Sequence, residues 1–410
     1  MPTPTPLPAP PAGPIPTQAT ARKQRQPLLA HLVAAAALAC VATLALTIIG
    51  CGSDLPNFPK NATLEQKIEL AVDHMRVPGA AVAVYKEGQP VVDRAFGVAS
   101  LETNEPLTTA HHFRIASITK AVIGTALVQL ADEGLLSLDD PISNYVYSVP
   151  NGDAITLRML AQHTSGLYNY VRRTDMQAAF AADRPRVWTE DELLQPAFET
   201  GPRFEPPGSK WAYTNTGYIL LGQVIEQIEG EPLAAVIDRR ICQPLGLTGM
   251  GYTIDQPLPE PFAAGHQLGT STEPSLWRGR GSTVWDVTDA SPSMWHAAGA
   301  MHSTAGETRV MIEAIATGEL VSERGFAEQT VWRESWGSGN SYGLGLMQQT
   351  TAKGNFVGHN GMVPGYQVAA FHDREPSTTI VVLANLYASP RNAQPADVVS
   401  RLIAEHLASR

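Results

Sequence analysis

Three short stretches carry side chains that could do chemistry together. The first is Phe113-Arg114-Ile115-Ala116-Ser117-Ile118-Thr119-Lys120. A serine hydroxyl is a poor nucleophile until a base takes its proton. A lysine three residues on shares one helical face with it, and burial can lower that lysine's pKa enough to make it the base. The free N–H groups of a helix's first turn could meet a developing oxyanion. An N-capping serine followed by a solvated lysine would give the same letters. The second stretch is Trp211-Ala212-Tyr213-Thr214-Asn215-Thr216. Its phenol can relay a proton if a nearby lysine steadies the anion, and its Asn215 amide can bond a substrate peptide group. A core-edge tyrosine with a turn asparagine reads the same way. The third is Gly358-His359-Asn360-Gly361-Met362. On an edge strand, Gly361 would let a substrate backbone approach closely. A turn around a satisfied histidine is the other reading.

These stretches need elements to hold them. Residues 117–133 repeat apolar side chains at helical spacing, and Gly134 ends the run. Thr216–Glu229 and Leu233–Cys242 read as helices, as does Ala305–Thr317. Near the start, Leu64–Met75 has helical spacing. Ala80–Tyr85 and Val91–Phe96, around Gly88, read as a β-hairpin. Late in the chain, Tyr342–Met347, Tyr366–Phe371 and Thr378–Leu383 read as strands, and Ala396–His406 as a last helix. Both ends thus supply strands, while residues 135–300 supply helix and loop. The expected fold is α+β: one antiparallel sheet built from both chain ends, flanked by helices, with an inserted all-helical lobe.

The chain has 410 residues, with 44% apolar and 17% charged residues, enough for a sizeable core. Its net charge is -10, and no long basic run follows the N-terminus, so nucleic acid is not an expected partner. Of three cysteines only Cys242 lies in the body, which leaves no intrachain disulfide there and no zinc ligand spacing. Cys242 fits a small core position.

The N-terminus is different. Residues 1–27 are a Pro/Thr/Ala-rich lead closing in Arg22, Lys23 and Arg25. Residues 28–51 then hold the uncharged stretch Leu32–Ile49 and end Ile48-Ile49-Gly50-Cys51. A basic segment, an apolar stretch and small residues make an export signal. The ending resembles a bacterial lipobox, with Cys51 as the lipidated residue. A retained anchor is the alternative, since the stretch is close to the roughly 20 residues that span a bilayer. Either way, residues 52–63 are a tether, and residues 64–410 are expected outside the membrane as one domain.

In chain order, Ser117-x-x-Lys120, Tyr213-x-Asn215 and His359-x-Gly361 resemble the penicillin-recognising serine hydrolases that group with class C β-lactamases and D-alanyl-D-alanine carboxypeptidases. Gln162-His163-Thr164-Ser165-Gly166-Leu167, Pro207-Gly208-Ser209-Lys210, Pro244-Leu245-Gly246-Leu247, Ala298–Thr304 and Tyr342-Gly343-Leu344-Gly345 are similar to that family too. The resemblance implies an acyl-enzyme on Ser117, with Lys120 as base and Tyr213 as proton relay. It implies substrate contacts from Asn215, His359, Asn360, Gly361 and Met362, and an oxyanion hole from the N–H groups of Ser117 and Met362. His163 is read as structural. No metal or organic cofactor is implied. Class C β-lactamases usually carry Lys-Thr-Gly where this chain has His359-Asn360-Gly361. That favours a D-alanyl carboxypeptidase-like peptidase, amidase or esterase, acting on small molecules or peptides. A class C-like β-lactamase and a non-catalytic penicillin-binding protein are the alternatives.

Overall fold

Alternation in the first and last strands sets the layering. In Gly79–Lys86 (β1), Ala81 and Ala83 join one apolar cluster, while Ala80, Val82 and Val84 join another. Ser377–Ala384 splits the same way: Val381 and Leu383 to one side, Ile380 and Val382 to the other. A strand with successive side chains buried on opposite faces must lie inside a sheet covered on both sides. The structure is a computed structural model that describes residues 55–409, apart from 256, 278, 338, 391 and 392. These residues all belong to one unit, Thr47–Arg410. The lead, the basic cluster, the apolar segment and Cys51 lie outside the described residues.

The main sheet has eight strands. They are β1, Gln89–Gly97 (β2), Arg333–Glu334 (β3), Asn340–Tyr342 (β4), Met347–Thr351 (β5), Gly354–Val363 (β6), Tyr366–Arg374 (β7) and Ser377–Ala384 (β8). Their order across the sheet is β2-β1-β8-β7-β6-β5-β4-β3, with every neighbouring pair antiparallel. The first and last parts of the chain therefore meet at the β1–β8 pair, in register from Ala80↔Ala384 to Lys86↔Thr378. One face carries the helices Leu64–His74 (α1) and Pro395–Ala408. Thr63 and Gln66 form a reciprocal capping box at the start of α1. The other face packs on Thr119–Asp132 (α2) and Ala305–Thr317 (α3).

The α+β plan holds, with two departures in detail. The inserted part is not all helical. His266–Gly269 and Thr283–Asp286 pair as a small antiparallel sheet, and Met301–Ser303 pairs with both Phe113–Arg114 and Gly251–Tyr252. Each of these strands has four residues or fewer, too short for alternation to show against loop sequence. The expected strand Tyr342–Met347 is instead a tight turn between β4 and β5. Gly345 adopts φ 80° there, and Leu344 turns inward to full burial.

That turn presses on α2. A Cβ on Gly345 would stand 2.2 Å from the Lys120 carbonyl oxygen, and one on Gly124 would stand 2.2 Å from the Leu344 oxygen. Two glycines thus let the helix carrying Lys120 approach the sheet this closely. Gly345→Ala should cost at least about 1–3 kcal/mol from backbone strain alone. The expected result is a lower urea midpoint at unchanged slope. An unchanged midpoint would mean the turn and α2 are not in this contact.

Candidate active site

Ser117 sits on a single 3₁₀ turn, Ala116–Ile118, that feeds into α2. It therefore precedes the α-helix rather than opening it. Side chains at i and i+3 eclipse in 3₁₀ geometry, so Lys120 still stands beside it. Ala116 is held at φ 49°, a left-handed conformation that costs a residue with a Cβ about 1–3 kcal/mol. The neighbourhood enforces it. Thr119 Oγ1 donates to the Ala116 carbonyl at 2.7 Å and accepts from Met301 N–H at 3.3 Å. Ser117 is half-buried while Ala116, Ile118, Thr119 and Lys120 are buried, so the turn offers one hydroxyl to the cleft.

Lys120 has no exposed surface. Its Nζ lies 3.2 Å from Ser117 Oγ and donates to the Ala298 carbonyl at 2.6 Å. The rings of Tyr213 and Tyr218 stand 5.0 and 5.3 Å from the nitrogen. Burial holds the amine's pKa well below its ordinary value. A neutral amine aims a lone pair where an ammonium could only donate, so Lys120 can take the Ser117 proton. Tyr213 is half-buried, and its phenol interacts with the Ser117 hydroxyl. Burial pushes the phenol's pKa up, and Ser117 lowers it only in part. Tyr213 thus stays protonated near neutrality and can act as a donor.

Asn215 caps the helix Thr216–Glu229 by position, but its side chain makes no cap bond. Its N–H donates to Asn169 Oδ1 at 3.3 Å, while its own Oδ1 is buried without a hydrogen-bond partner among the described residues. A buried acceptor left unmatched could accept from a substrate N–H.

The third stretch lies within β6, which is an interior strand and not an edge. Its neighbour β5 pairs only with Gly354–Gly358, so from His359 onward one edge lacks a strand partner. The serine turn fills that side. A Cβ on Gly361 would stand 2.5 Å from Ser117 N, so only glycine allows this approach. Met362 follows, half-buried. His359 is fully buried, and both ring nitrogens are engaged. Nδ1 faces the Asn360 carbonyl, which can only accept, so Nδ1 carries the proton and Nε2 accepts from Tyr342 OH at 2.9 Å. Burial, with help from the Lys120 charge, pushes the imidazole's pKa down to about 3. His359 is therefore neutral and is no cation for a substrate carboxylate.

Asn360 does not join the others. Its Nδ2 donates to both Asp397 oxygens, at 3.0 and 3.2 Å, on the first turn of the C-terminal helix. Alternation along a strand sends residue 360 to the face opposite 359 and 361. The expected substrate contact from Asn360 is thus replaced by a tie between β6 and that helix.

Several residues near the site were not singled out by type and spacing. Thr119 braces the serine turn, the Ala298 carbonyl fixes the lysine, and Tyr342 fixes the tautomer of His359. Trp211 and Trp336 pack at a tilt with centroids 4.7 Å apart beside Tyr213, which lies 6.2 Å from Trp336. Thr119 and Trp211 lie within the first two stretches without a role of their own there, Tyr342 and Ala298 lie in family-like stretches, and Trp336 had no signal. A cavity of about 440 Å³ lies elsewhere, between Gln129, Asp132, Arg239, Arg240 and Glu319–Ser322. Its arginines are already paired with Glu133, Glu229 and Glu231, and it contains none of the residues above.

Comparison with known proteins agrees with this geometry. The sequence profile of the Beta-lactamase family matches residues 64–405. The putative penicillin-binding protein PbpX of Bacillus subtilis is 27% identical over 84% of this chain and 80% of its own length. A D-aminopeptidase of Cereibacter sphaeroides is 28% identical over 80% of this chain, which spans 61% of that enzyme. The crystal structure of the D-amino acid amidase of Ochrobactrum anthropi superposes with a TM-score of 0.74 at 27% identity, covering 84% of this chain and 98% of the amidase. The chain belongs to the Beta-lactamase family and is a serine hydrolase of that fold.

The neutral amine as base has a pH signature. Acylation should fall as pH drops through the Lys120 pKa, because protonation removes the lone pair. Lys120→Met should lose that acid limb and lower the acylation rate by roughly 10²–10⁴. Stopped-flow acylation across pH reads both. An acid limb that survives in Lys120→Met would assign the base elsewhere.

Proposed function

We propose that this chain hydrolyses D-alanyl peptides or related small amides and esters through an acyl-enzyme on Ser117. The observation that carries the reading is a fully buried, charge-depleted Lys120 amine 3.2 Å from the Ser117 hydroxyl. Lys120 takes the Oγ proton as Oγ attacks the carbonyl carbon. The oxyanion is received by the N–H groups of Ser117 and Met362, at the place where Gly361 lets the two segments meet. Tyr213 gives its proton to the leaving nitrogen and regains one from the Lys120 ammonium. Water then repeats the attack on the acyl ester, which frees the acid and restores the serine. Asn215 holds the acyl-side amide, and His359 shapes the cleft without charge.

The charge pattern supports amides and esters over β-lactams. His359 is neutral with both nitrogens engaged, and the Asn360 amide is bound to Asp397, so neither is free to bond a carboxylate. The likeness to a D-aminopeptidase and a D-amino acid amidase points the same way. A panel of D-alanine p-nitroanilide, D-alanyl-D-alanine, p-nitrophenyl acetate and nitrocefin tests this, with Ser117→Ala as control. Turnover of the anilide or the ester well above nitrocefin, abolished in Ser117→Ala, is expected. Nitrocefin as the preferred substrate would make it a β-lactamase, and a single burst without turnover would make it a binding protein.

We also propose export, with the body held at the outer face of a bacterial membrane through a lipid on Cys51. The motif Ile48-Ile49-Gly50-Cys51 behind a basic, then apolar, segment supports this. Among the described residues no helix is long and apolar enough to cross a membrane. Palmitate labelling in a bacterial host should mark the wild type and not Cys51→Ala. Membrane retention of an unlabelled Cys51→Ala protein would favour the retained anchor.

A further inference from the structure

His163 has no role in the mechanism above, yet it occupies an expensive position. It follows the short helix Leu157–Ala161 and is held at φ 62°, where asparagine or glycine would be the cheaper choice. Its side chain has no exposed surface. Its Nε2 is buried with no hydrogen-bond partner among the described residues. A buried unmatched polar atom is destabilising, and the left-handed backbone adds strain of its own. Selection for stability alone would remove both costs.

What those costs hold in place is Tyr213. The residues on either side of it are both tied to His163. Ala212 N–H donates to the His163 carbonyl at 2.9 Å, and Thr214 N–H donates to His163 Nδ1 at 3.3 Å. Since a backbone N–H can only donate, Nδ1 is the acceptor and the ring proton sits on Nε2. The imidazole also lies against the Tyr213 ring, with centroids 4.2 Å apart, and touches Tyr342 at 4.5 Å and Tyr218 at 5.3 Å. Tyr213 and Tyr218 are the two rings beside the Lys120 nitrogen. Backbone and side chain of one residue thus grip the tyrosine turn at three points.

We propose that His163 is the positioning residue for Tyr213, its Nδ1 setting the turn that aims the phenol at the leaving group. This deepens the proposed mechanism and rests on Tyr213 being the proton donor. An apolar side chain of similar bulk could fill the same space. It could not accept from Thr214 N–H, and the phenol would lose its aim while the core stayed filled. Asparagine places Oδ1 about where Nδ1 stands and tolerates the left-handed backbone. It restores the acceptor and leaves a void. The proposal therefore separates activity from packing.

The full-length chain is assayed with D-alanine p-nitroanilide, whose leaving amine needs a proton, and with p-nitrophenyl acetate, whose leaving phenolate does not. Thermal unfolding is measured in parallel. His163→Leu should lower kcat on the anilide about 10²-fold, within the range for lost acid–base help, and change ester turnover only a few-fold. His163→Asn should stay within about tenfold of wild type on the anilide even where its Tm falls further. In a Tyr213→Phe background His163→Leu should cost nothing more, because two residues acting through one group are not additive. Multiplied losses in that double variant, equal losses on anilide and ester, or an Asn variant as poor as Leu would overturn the proposal. Should His163→Leu not fold, His163→Gln takes its place, since its amide reaches the Nε2 position and not Nδ1. A Tyr213→Phe enzyme with undiminished anilide turnover would instead remove the proton-donor reading itself.

Discussion

The site depends on an amine kept out of water. Moving an ammonium into a dry interior costs several kcal/mol even after relaxation, so a buried lysine tends to shed its proton. Lys120 is given no carboxylate among the described residues. It has a carbonyl, a hydroxyl and two aromatic faces, partners that orient a nitrogen without demanding that it be charged. The consequence spreads to its neighbours. Burial holds His359 and His163 neutral, and a charge on Lys120 would press both further down. Three basic groups share one dry space, and protonating any of them raises the cost of protonating the next. Such a pocket suits the proposed transfer of the Ser117 proton to Lys120.

The architecture makes that dryness possible. Lys120 is carried on a helix pressed against the sheet through the contacts of Gly124 and Gly345. Ser117 is carried on a turn pressed against β6 at Gly361. Each contact has a glycine where a side chain would hold the segments apart, and each excludes water from one side of the catalytic groups. The half-buried Trp211, Tyr213 and Trp336 border the side that remains. Strain is stored in this frame at Ala116, and its cost is met by the Thr119 hydroxyl and the pairing of Met301–Ser303 with Phe113–Arg114.

Long periodic elements were legible from sequence. The helices at 64–74, 216–229, 305–317 and 395–408, the hairpin of β1 and β2, and β7 and β8 all announce themselves by spacing and by turn residues. Ser117, Lys120, Tyr213, Asn215 and Gly361 were legible as residue types in order, and the fold brings Lys120, Tyr213 and Gly361 up to Ser117. What was not legible has a common cause. The turn Gly343–Leu346 reads as a strand because its alternation comes from two glycines flanking an inward leucine. Asn360 reads as a cleft residue because it lies in the family-like third stretch, whereas alternation along a strand turns its side chain away from its neighbours'. Thr119 and Ala298 act through a brace and a backbone carbonyl, and neither leaves a mark in residue type.

The same charge accounting explains why the third stretch matters for substrate choice. A lysine at position 359, as in the Lys-Thr-Gly pattern of class C β-lactamases, would set a second ammonium near Lys120. It would depress the base further while offering a partner for a substrate carboxylate. Histidine at this depth does neither, because its Nδ1 proton goes to the Asn360 carbonyl and its Nε2 is filled by Tyr342. The basicity of Lys120 is then set by burial alone. The neighbouring amide is spent on structure. Asn360 and Gln367 both donate to Asp397, whose carboxyl burial pushes up to about 6 against the pull of those amides and of Arg401. Because that pKa is raised, the stability Asp397 contributes is fully present below the ordinary carboxylate pKa and is lost as pH rises through about 6. Above that pH the two amides are what keep an ionised carboxylate satisfied, so Asn360 is committed to holding β6 on the C-terminal helix.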